Sequence, residues 1–516
     1  MLLPLPTPEE MSQWDQETIK NIGIPGLTLM ESASREAVDV LLEEFGPIED
    51  KEILCFAGSG NNGGDVFAMA RQLQDLGADV TVFHTKHQKQ YQGETRTNLI
   101  WAQKLGVPLR HLAAVDIDSL PMPDIIIDGL LGTGFKGELS EDYLACIRSI
   151  NIMGHTAFVF SVDIPSGLNG LTGQPQPEAI MADATVTFQA PKLGLTMPGA
   201  SRFTGMVHVR SIGIPNQIQV ANPVHHHLIT NEAMDYIPRI APDNHKGNAG
   251  HVLIIGGSKG LTGAPHLAAL GALRSGAGLV TIACPGKLAD VIKGGSADIM
   301  TLPLDSEGEW TPSMAKILLG EISRFDSCVI GPGIGRSAKT VDFLRTFIAE
   351  CPAHTVLDAD ALYGLAQFSE KIAELPETTI LTPHPGEMAT LFDVSIEKIQ
   401  SSRLETTAQF VDISSATLVL KGAGTLIANV SKTCISPFSE PNLAIGGSGD
   451  VLSGMIASLM ARGLSPLEAS CVGVYWHGMT GRILKKDFPA RGNLASEIAN
   501  TLPLAVKQHM KEFLSC

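Results

Sequence analysis

The stretch EILCFAGSGNNGGDVFAMARQL, residues 52–73, decides how the first half of the chain folds. Residues 52–57 form a short apolar run typical of a strand, residues 58–65 a glycine-rich turn, and residues 66–76 an amphipathic helical pattern. A second strand is predicted at residues 79–83. This order is a βαβ unit, and its glycine loop lies at the carboxyl end of a strand, where open parallel sheets bind ligands.

The same loop matches the dinucleotide-binding pattern G-x-G-x-x-G at residues 58–63, so a nicotinamide-dependent dehydrogenase is one alternative. Two features count against it. The second strand ends in Phe83-His84-Thr85 instead of the acid that would bind a ribose, and residues 61–65 (NNGGD) are more polar than a pyrophosphate turn requires. The dehydrogenase is therefore the weakest alternative.

Two further predicted strands, residues 124–128 and 158–163, end in Asp128 and Asp163. The loops GLLGTGFKGE (129–138) and IPSG (164–167) follow them. Because the carboxyl ends of parallel strands meet at one edge of a sheet, both carboxylates should lie near NNGGD. Two acids and a glycine loop at one edge predict a binding site.

The strand pattern fades after Pro215, and we predict a domain boundary there, giving domains 1–222 and 223–516. Residues 216–230 show no clear period. We interpret the run His225-His226-His227 as a polar connector, because no acid accompanies it; a metal site is the less favoured alternative.

The second half again alternates strands and helices. Strands are predicted at residues 251–255, 279–283, 327–330, 354–357, 378–381 and 416–420, a small-residue helix at 264–277, and a hairpin at 425–428 and 433–435. Residues 446–450 (GGSGD) then open a helix with Asp450 on its first turn. Such a helix start binds anions, and Asp450 would stand where a hydroxyl proton must be removed during phosphoryl transfer. For an isolated loop, an N-capping aspartate would be the simpler interpretation.

Bulk properties limit the function classes. The 516 residues are 44% hydrophobic and 18% charged, which predicts two to four well-buried domains. The net charge of −17 argues against a nucleic-acid or anionic-membrane partner. Eight scattered cysteines lack zinc-site spacing, no apolar run is long enough for a membrane helix, and the first residues match neither a signal nor a transit peptide. We expect a cytoplasmic protein.

Residues 10–215 resemble the epimerase domain of NAD(P)H-hydrate repair enzymes, through GIPGLTLMESA, NNGGD, DGLLGTGFKG and VDIPSG in this order. The resemblance implies a Rossmann-like three-layer α/β/α domain and a K⁺ ion bound by Asn62, Asp128 and Ser166. It assigns the hydrated nucleotide to Asn61, Asn62, Gly63, Gly64, Asp65, Gly132, Thr133, Gly134, Phe135, Lys136, Gly137, Glu138 and Asp163. Val66 stands where the family usually has glycine, and it would be strained if that position required a positive φ.

Residues 239 to about 510 resemble the ADP-dependent dehydratase domain of the same family, which has a ribokinase-like α/β/α fold. The motifs are HKGNAGHVLIIGGS, LTGAP, GPGIG, DADAL, TPHPGE, KGAGT and GGSGD. The resemblance implies Mg²⁺ and ADP. It assigns the substrate to Ala264, Gly333, His384 and Asp450, and the nucleotide to Lys421, Gly422, Ala423, Gly424, Thr425 and Gly449.

Together the two resemblances imply an α/β protein of two doubly wound domains that repairs hydrated NADH and NADPH. One domain would interconvert the R and S epimers, and the other would dehydrate the S form, converting ADP to AMP and phosphate. Asp450 is the predicted base of the dehydratase, and Asp163 is predicted both to stabilise a ring cation and to shuttle the proton in the epimerase. We also expect a homo-oligomer. The remaining alternative is an ATP-dependent small-molecule kinase with a non-catalytic N-terminal binding domain, since the fold, the anion-binding loop and the base would be the same. The GGSGD loop alone does not distinguish ADP from ATP.

Overall fold

The computed structural model describes residues 1–135, 137–239, 249–305 and 308–515, with side chains up to residue 510. The chain divides into two compact units. One is Pro4–His226, and the other is His227–Cys516 together with Met1–Leu3. The boundary predicted between residues 222 and 223 lies just before this division.

Strand β1 (Leu2–Pro4) belongs to the sheet of the C-terminal unit, and the N-terminal unit has a sheet of its own. The strands of that sheet are β2 (Glu52–Ala57), β3 (Asp79–His84), β4 (Leu109–His111), β5 (Ile125–Gly129), β6 (Phe158–Val162), β7 (Ala184–Phe188) and β8 (Met206–Arg210). The helices are α1 (Pro8–Glu17), α2 (Gly26–Phe45), α3 (Asn61–Asp75), α4 (Gly93–Lys104), α5 (Glu141–Met153), α6 (Ser201–Thr204) and α7 (Asn216–Ala221).

Neighbouring strands of this sheet are parallel, in the order β4-β3-β2-β5-β6-β7-β8. The order reverses between β2 and β5, which leaves a crevice at their carboxyl ends. Side chains of β2 alternate between two cores: Ile53 and Cys55 pack in the core that includes α2 and α3, whereas Leu54 and Phe56 pack with α5. The unit therefore has the predicted three layers.

The NNGGD segment is helical, which corrects the turn predicted for residues 58–65. Helix α3 begins at Asn61, so only residues 58–60 form the loop. A Cβ atom on Gly63 would lie 2.0 Å from the carbonyl oxygen of Gly58, so the close approach of helix and strand end requires glycine. Val66 lies inside α3, fully buried and without a positive φ, so the strain considered for it does not arise.

The C-terminal unit contains an eleven-stranded sheet. Besides β1, its strands are β9 (His226–Ile229), β10 (His251–Ile255), β11 (Leu279–Cys284), β12 (Met300–Pro303), β13 (Ser327–Ile330), β14 (Thr355–Leu357), β15 (Ile380–Leu381), β16 (Thr417–Leu420), β17 (Leu426–Asn429) and β18 (Lys432–Ile435). The helices are α8 (Gly263–Arg274), α9 (Ala289–Lys293), α10 (Pro312–Glu321), α11 (Ala338–Ala349), α12 (Asp360–Ala366), α13 (Pro385–Phe392), α14 (Ile396–Ser401), α15 (Arg403–Ile413), α16 (Ser448–Ala461), α17 (Pro466–Leu484) and α18 (Ala495–Ser515).

The strand order is β1-β9-β18-β17-β16-β15-β14-β13-β10-β11-β12. Strands β10 to β16 pair in parallel, and β16, β17 and β18 pair antiparallel. Val252 and Ile254 of β10 pack in a core with α8, α16, α17 and α18, while the alternate residues Leu253 and Ile255 are fully buried on the other face. Buried residues on both faces of a parallel strand are the pattern of an α/β domain.

Helices α8 and α16 cross at glycines, which fixes the GGSGD loop at the start of α16. A Cβ atom on Gly271 would lie 2.3 Å from the carbonyl oxygen of Val451, and one on Gly454 would lie 1.9 Å from that of Ala268. Gly447 has a φ of +90° and caps α16. No side chain larger than hydrogen fits these crossings, so the backbones approach each other directly.

The connector predicted at residues 216–230 is wrong. Residues 216–221 form α7, and His226 and His227 lie in β9, which pairs within the larger sheet. The described residues contain no cluster of His, Cys, Asp and Glu able to hold a metal ion. Among the described helices, none is long and apolar enough to cross a membrane.

Candidate active sites

A cavity of about 560 Å³ opens at the carboxyl ends of β2, β5 and β6. Eight of the predicted nucleotide-binding residues line it: Asn61, Asn62, Asp65, Gly132, Thr133, Gly134, Phe135 and Asp163. Gly63 and Gly64 are buried but do not line the cavity, Gly137 and Glu138 are exposed outside its wall, and Lys136 lies outside the described residues.

Asp163 is paired with a buried lysine that the sequence motifs did not reveal. Its Oδ1 atom lies 2.6 Å from Nζ of Lys192, whose side chain is only 2% exposed. The ammonium group also donates to the hydroxyl of Thr187 and the carbonyl of Phe188, each at 2.9 Å. All three hydrogens of the ammonium group therefore have acceptors, and the lysine fixes the orientation of the Asp163 carboxylate.

The backbone at Asp163 is also unusual. Its φ is +65°, a region that non-glycine residues seldom occupy and that costs about 1 kcal/mol or more. The amide of Asp163 donates to the carbonyl of Val186 at 2.7 Å, which holds the residue in this conformation. Strained residues of this kind cluster at functional sites.

Three other carboxyl groups line this cavity, those of Asp15, Asp65 and Glu94. Burial raises the pKa of Asp65 well above its ordinary value, and the charges of Asp163 and Asp15 add to the effect. Burial likewise raises the pKa of Asp15 to about 6, opposed by Lys192 and reinforced by Asp163. Asp15 lies on α1, outside every motif quoted above, and hydropathy alone gave no signal for it.

Of the predicted K⁺ ligands, Asn62 lines the cavity, whereas Asp128 and Ser166 are fully buried. Asp128 is fully buried and accepts four hydrogen bonds: from Ser161 Oγ at 2.9 Å, from Ser166 N and Oγ at 2.8 and 2.5 Å, and from Leu130 N at 3.3 Å. Burial raises its pKa even though these bonds lower it. The Oδ1 atom of Asn62 is buried with no hydrogen-bond partner in the described structure. A buried carboxylate and an unsatisfied amide oxygen are ligand types that suit a hard monovalent cation.

A second cavity, of about 700 Å³, lies in the C-terminal unit. Predicted residues on its wall are His384, Lys421, Gly422, Ala423, Thr425, Gly449 and Asp450. Gly424 is outside the lining. Ala264 and Gly333 lie apart from this wall and beside each other, since a Cβ atom on Gly333 would be 3.3 Å from that of Ala264.

Lys421 lies among acids at the edge of the second cavity. Its Nζ atom is 2.9 Å from Oδ1 of Asp358, which is 1% exposed, and 3.8 Å from Oε2 of Glu387. Burial opposes the charge of Lys421, but Asp358 and Glu387 together raise its pKa. A Cβ atom on Gly449 would lie 3.1 Å from Nζ, so the ammonium group reaches the start of α16. A phosphate there would meet both an ammonium group and a helix N-terminus.

Asp450 is the predicted base, and its environment keeps its proton affinity high. Its pKa is raised to about 8, mainly by burial and also by the charges of Asp358 and Glu387, while Lys421 acts in the opposite direction. Behind the loop, burial lowers the pKa of His477 to about 4, so this imidazole is neutral at physiological pH. Its Nε2 atom lies 3.2 Å from the hydroxyl of Ser448. Asp450 can thus exchange a proton near neutral pH.

The KGAGT loop is held by Arg403, another residue that the motifs did not reveal. Its Nη1 atom donates to the carbonyl of Ala423 at 2.9 Å, and its Nη2 atom to that of Leu420 at 3.0 Å. Gly422 has a φ of +138°, and a Cβ atom there would lie 2.6 Å from Nη1. The guanidinium group therefore determines the shape of this loop.

His384 caps α13 at the rim of the second cavity. Its Nδ1 atom accepts hydrogen bonds from the amides of Gly386 and Glu387 at 3.0 and 3.2 Å. With Nδ1 accepting, the proton of the neutral ring is on Nε2, which lies 3.3 Å from Glu387 Oε1. The ring is 56% exposed, so it can contact a ligand.

The two units match two family models. A model described as NAD(P)H-hydrate dehydratase matches residues 252–504, and one described as YjeF-related protein N-terminus matches residues 26–194. The chain is also similar to the bifunctional NAD(P)H-hydrate repair enzyme of Moorella thermoacetica, with 39% identity across 98% of this chain and 97% of that protein. The enzyme of the same name from Dictyoglomus turgidum is 36% identical across 98% of this chain and 99% of its own length.

Two solved structures are similar to part of the chain. A ribokinase-like superfamily protein from Enterococcus faecalis is 25% identical, with a TM-score of 0.48, and the match covers 55% of this chain and 96% of that one. An ADP/ATP-dependent NAD(P)H-hydrate dehydratase from Bacillus subtilis, co-crystallised with ATP and Mg²⁺, is 27% identical, with a TM-score of 0.46, over 55% of this chain and 98% of that one.

Proposed function

The chain belongs to the family of bifunctional NAD(P)H-hydrate repair enzymes, and we propose that each of its two cavities carries one of the two activities. The enzyme acts in metabolite repair. Its N-terminal domain interconverts the R and S epimers of hydrated NADH and NADPH, and its C-terminal domain dehydrates the S epimer at the expense of ADP, giving AMP and phosphate.

The observation that carries the dehydratase assignment is the position of Asp450. It lies on the first turn of α16, in the same cavity wall as Lys421 and the KGAGT loop. The first N–H groups of a helix lack acceptors within it, so this end can bind the phosphoryl group while Asp450 faces the hydroxyl. Each well-placed donor is worth about 3 kcal/mol in such a transition state.

We propose the following chemistry in the second cavity. Asp450 takes the proton of the C6 hydroxyl as the phosphoryl group reaches that oxygen. Phosphate is a better leaving group than hydroxide, and the lone pair of the ring nitrogen then expels it, which leaves the dihydronicotinamide after loss of a proton from the neighbouring carbon. Lys421 and residues 422–425 with Gly449 hold the nucleotide, and His384 contacts the substrate. Ala264 and Gly333, which lie outside the wall of this cavity, would contact a part of the substrate that extends beyond it.

The nucleotide brings Mg²⁺ in this proposal. No group of three or more acids, histidines or cysteines among the described residues could hold the ion by itself. Mg²⁺ usually binds through one or two carboxylates together with substrate phosphates, so the acids beside Lys421 fit a nucleotide complex and do not fit a separate metal centre. When bound, the ion would neutralise phosphate charge.

In the first cavity we propose that Asp163 stabilises a ring cation. Loss of water from C6 leaves a cation shared with the ring nitrogen, and its positive charge favours a fixed carboxylate nearby. The Lys192 ion pair supplies that fixed orientation. Residues 61–65 and 132–138 would hold the rest of the nucleotide.

A K⁺ ion would be held by Asn62, Asp128 and Ser166. The unsatisfied Oδ1 atom of Asn62 and the buried charge of Asp128 are the features that suit it. The ion would supply positive charge beneath the loop that follows β5. A homo-oligomer in the cytoplasm, without nucleic-acid or membrane partners, completes the proposal.

The test of the nucleotide assignment uses the purified S epimer of NADH hydrate with ADP or with ATP. The return of dihydronicotinamide absorbance should match, mole for mole, the AMP and phosphate formed from ADP. A stable phosphorylated product without recovered NADH would refute dehydration and favour the small-molecule kinase.

A further inference from the structure

Asp15 is a carboxyl group of the N-terminal cavity that none of the sequence motifs includes. It lies on α1 and lines the cavity together with Asp65, Asp163 and Lys192. This inference rests on the proposed epimerase function. We propose that Asp15 carries the proton of the epimerase reaction, giving it to the departing C6 hydroxyl and taking it back when water adds to the opposite face.

Helix α1 is built to hold Asp15 in place. Thr7 and Glu10 form a capping box, in which Thr7 N donates to Glu10 Oε2 at 2.7 Å and Glu10 N donates to Thr7 Oγ1 at 3.2 Å. Trp14 is 1% exposed, and its indole N–H donates to the carbonyl of Asn222 at 2.9 Å. Asp15 follows this anchor directly, so it stands on a fixed element of the cavity wall.

Asp163 is less suited than Asp15 to carry the proton. It is tied to Lys192 at 2.6 Å and accepts a hydrogen bond from the hydroxyl of Thr187 at 3.2 Å. Protonating Asp163 would leave the buried ammonium group of Lys192 without its counter-charge, which is costly. Among the described residues, Asp15 has no ion pair of this kind, so a proton can bind there without breaking one.

Burial favours the protonated form of Asp15; among the neighbouring charges, Lys192 lowers its pKa and Asp163 raises it. Across the cavity, Asp65 faces it from α3, Glu94 from α4, Asp163 from the end of β6, and Lys192 from the segment after β7. Of these groups, Lys192 has the largest effect on the pKa of Asp15 and Asp163 acts against it. With burial as the main cause, the pKa of Asp15 is about 6, close to the pH at which a proton carrier works best.

The proposed step is balanced. The C6–O bond breaks with its electron pair on oxygen, which takes the proton of Asp15 and leaves as water, while the lone pair of the ring nitrogen forms the C6=N bond of the cation. Water then adds to the other face of C6, the C=N pair returns to nitrogen, and the extra proton of that water returns to the Asp15 carboxylate through the expelled water. No oxidant or other reactant is needed.

The test compares the two epimers in the full-length enzyme. With the R epimer and ADP, recovery of NADH requires both activities; with the S epimer and ADP, it requires only the dehydratase. We expect Asp15→Asn to lower kcat for the R epimer by about 100-fold, to change its KM by less than about threefold, and to leave the S-epimer rate unchanged. Glu17→Gln, on the same helix and outside the cavity wall, is the matched control and should be neutral.

A pH profile separates a proton carrier from a structural residue. The wild-type epimerase kcat/KM should fall as pH rises through about 6, Asp15→Asn should lose this inflection, and Asp15→Glu should regain part of the rate. If Asp15→Asn keeps more than a third of kcat or the same inflection, the role is wrong. If the wild-type enzyme converts the R epimer no faster than buffer does, the epimerase function itself fails, and this role fails with it.

Discussion

Replacing Asp450 with asparagine should cost activity and raise stability, and the gain should grow with pH. Burial raises the pKa of Asp450 to about 8, and the charges of Asp358 and Glu387 act in the same direction, with Lys421 opposing them. In the unfolded chain the same carboxyl has its ordinary pKa of 3.8. At any pH between these two pKa values, Asp450 therefore carries a proton in the folded protein and has lost it in the unfolded protein.

The sign and size of the effect follow from this difference. A raised carboxyl pKa means that the free energy of unfolding falls as pH rises from about 4 to about 8. One pKa unit corresponds to about 1.36 kcal/mol, so the free energy of unfolding of the wild-type protein should fall by about 2 kcal/mol between pH 6 and pH 8. Asparagine has no charge to bury. The difference in Tm between Asp450→Asn and the wild-type protein should therefore grow by about 4 °C from pH 6 to pH 8 for a domain of this size.

Scanning calorimetry of the full-length protein at pH 6, 7 and 8 measures this gap. Asp342→Asn, at an exposed position on α11, is the matched control and should show no pH-dependent gap. In parallel, dehydration of the S epimer by Asp450→Asn should fall by about 100-fold or more, and wild-type kcat/KM should rise with pH through about 8. A gap that stays constant or narrows with pH would refute the reasoning, as would turnover within tenfold of wild type.

Three further results are expected. Arg403→Met should raise the KM for ADP about tenfold, with little change in the KM for the S epimer, because the carbonyls of Leu420 and Ala423 lose their charged donor; equal changes in both constants would contradict this. Asp163→Ala should abolish epimerisation and lower stability by about 3 kcal/mol, since Lys192 is left buried without its partner. Adding Lys192→Met should restore the stability and not the activity, whereas a double variant as unstable as Asp163→Ala would refute the ion-pair argument. Exchanging K⁺ for choline should lower Tm of the wild-type protein and leave that of Asn62→Ala unchanged; an equal K⁺ response in both would place the ion elsewhere.

Much of the architecture could be predicted because strand ends gather at one edge of a parallel sheet. Apolar runs ending in Asp128, Asp163 and Lys421 placed polar groups at strand ends without any knowledge of the fold. The structure has Asp163 and part of NNGGD in one cavity wall and Lys421 and Asp450 in another. The α/β class of both units was confirmed, since the alternation of strand and helix is a local property of the sequence.

Other features depend on contacts between distant residues, which leave no local pattern. In the sequence, nothing distinguishes Lys192 from any other basic residue in a loop. Its contact with Asp163 forms only when the chain folds. Arg403 opens a helix and gains its role from carbonyls about twenty positions later. Strand β9 contains two histidines, so hydropathy could not identify it, and one of its neighbours in the sheet is β1 at the start of the chain.

The start of α3 was placed too late because glycine and asparagine usually indicate turns. Here Gly63 allows α3 to pack closely against the end of β2, because a side chain at this position would clash with the carbonyl of Gly58. Strain was considered for Val66 because a glycine at that position could have adopted a positive φ. Its fully buried side chain instead packs towards Gly129 of β5.

The most direct test of the central claim is recovery of NADH from an equilibrium mixture of both epimers of NADH hydrate, supplied with excess ADP, Mg²⁺ and K⁺. Two domains with the proposed activities should return all of the dihydronicotinamide absorbance, faster than the epimers interconvert in buffer, with one AMP formed for each NADH. Recovery that stops at the share of the S epimer would contradict the epimerase assignment, and no recovery with either ADP or ATP would contradict the repair function altogether.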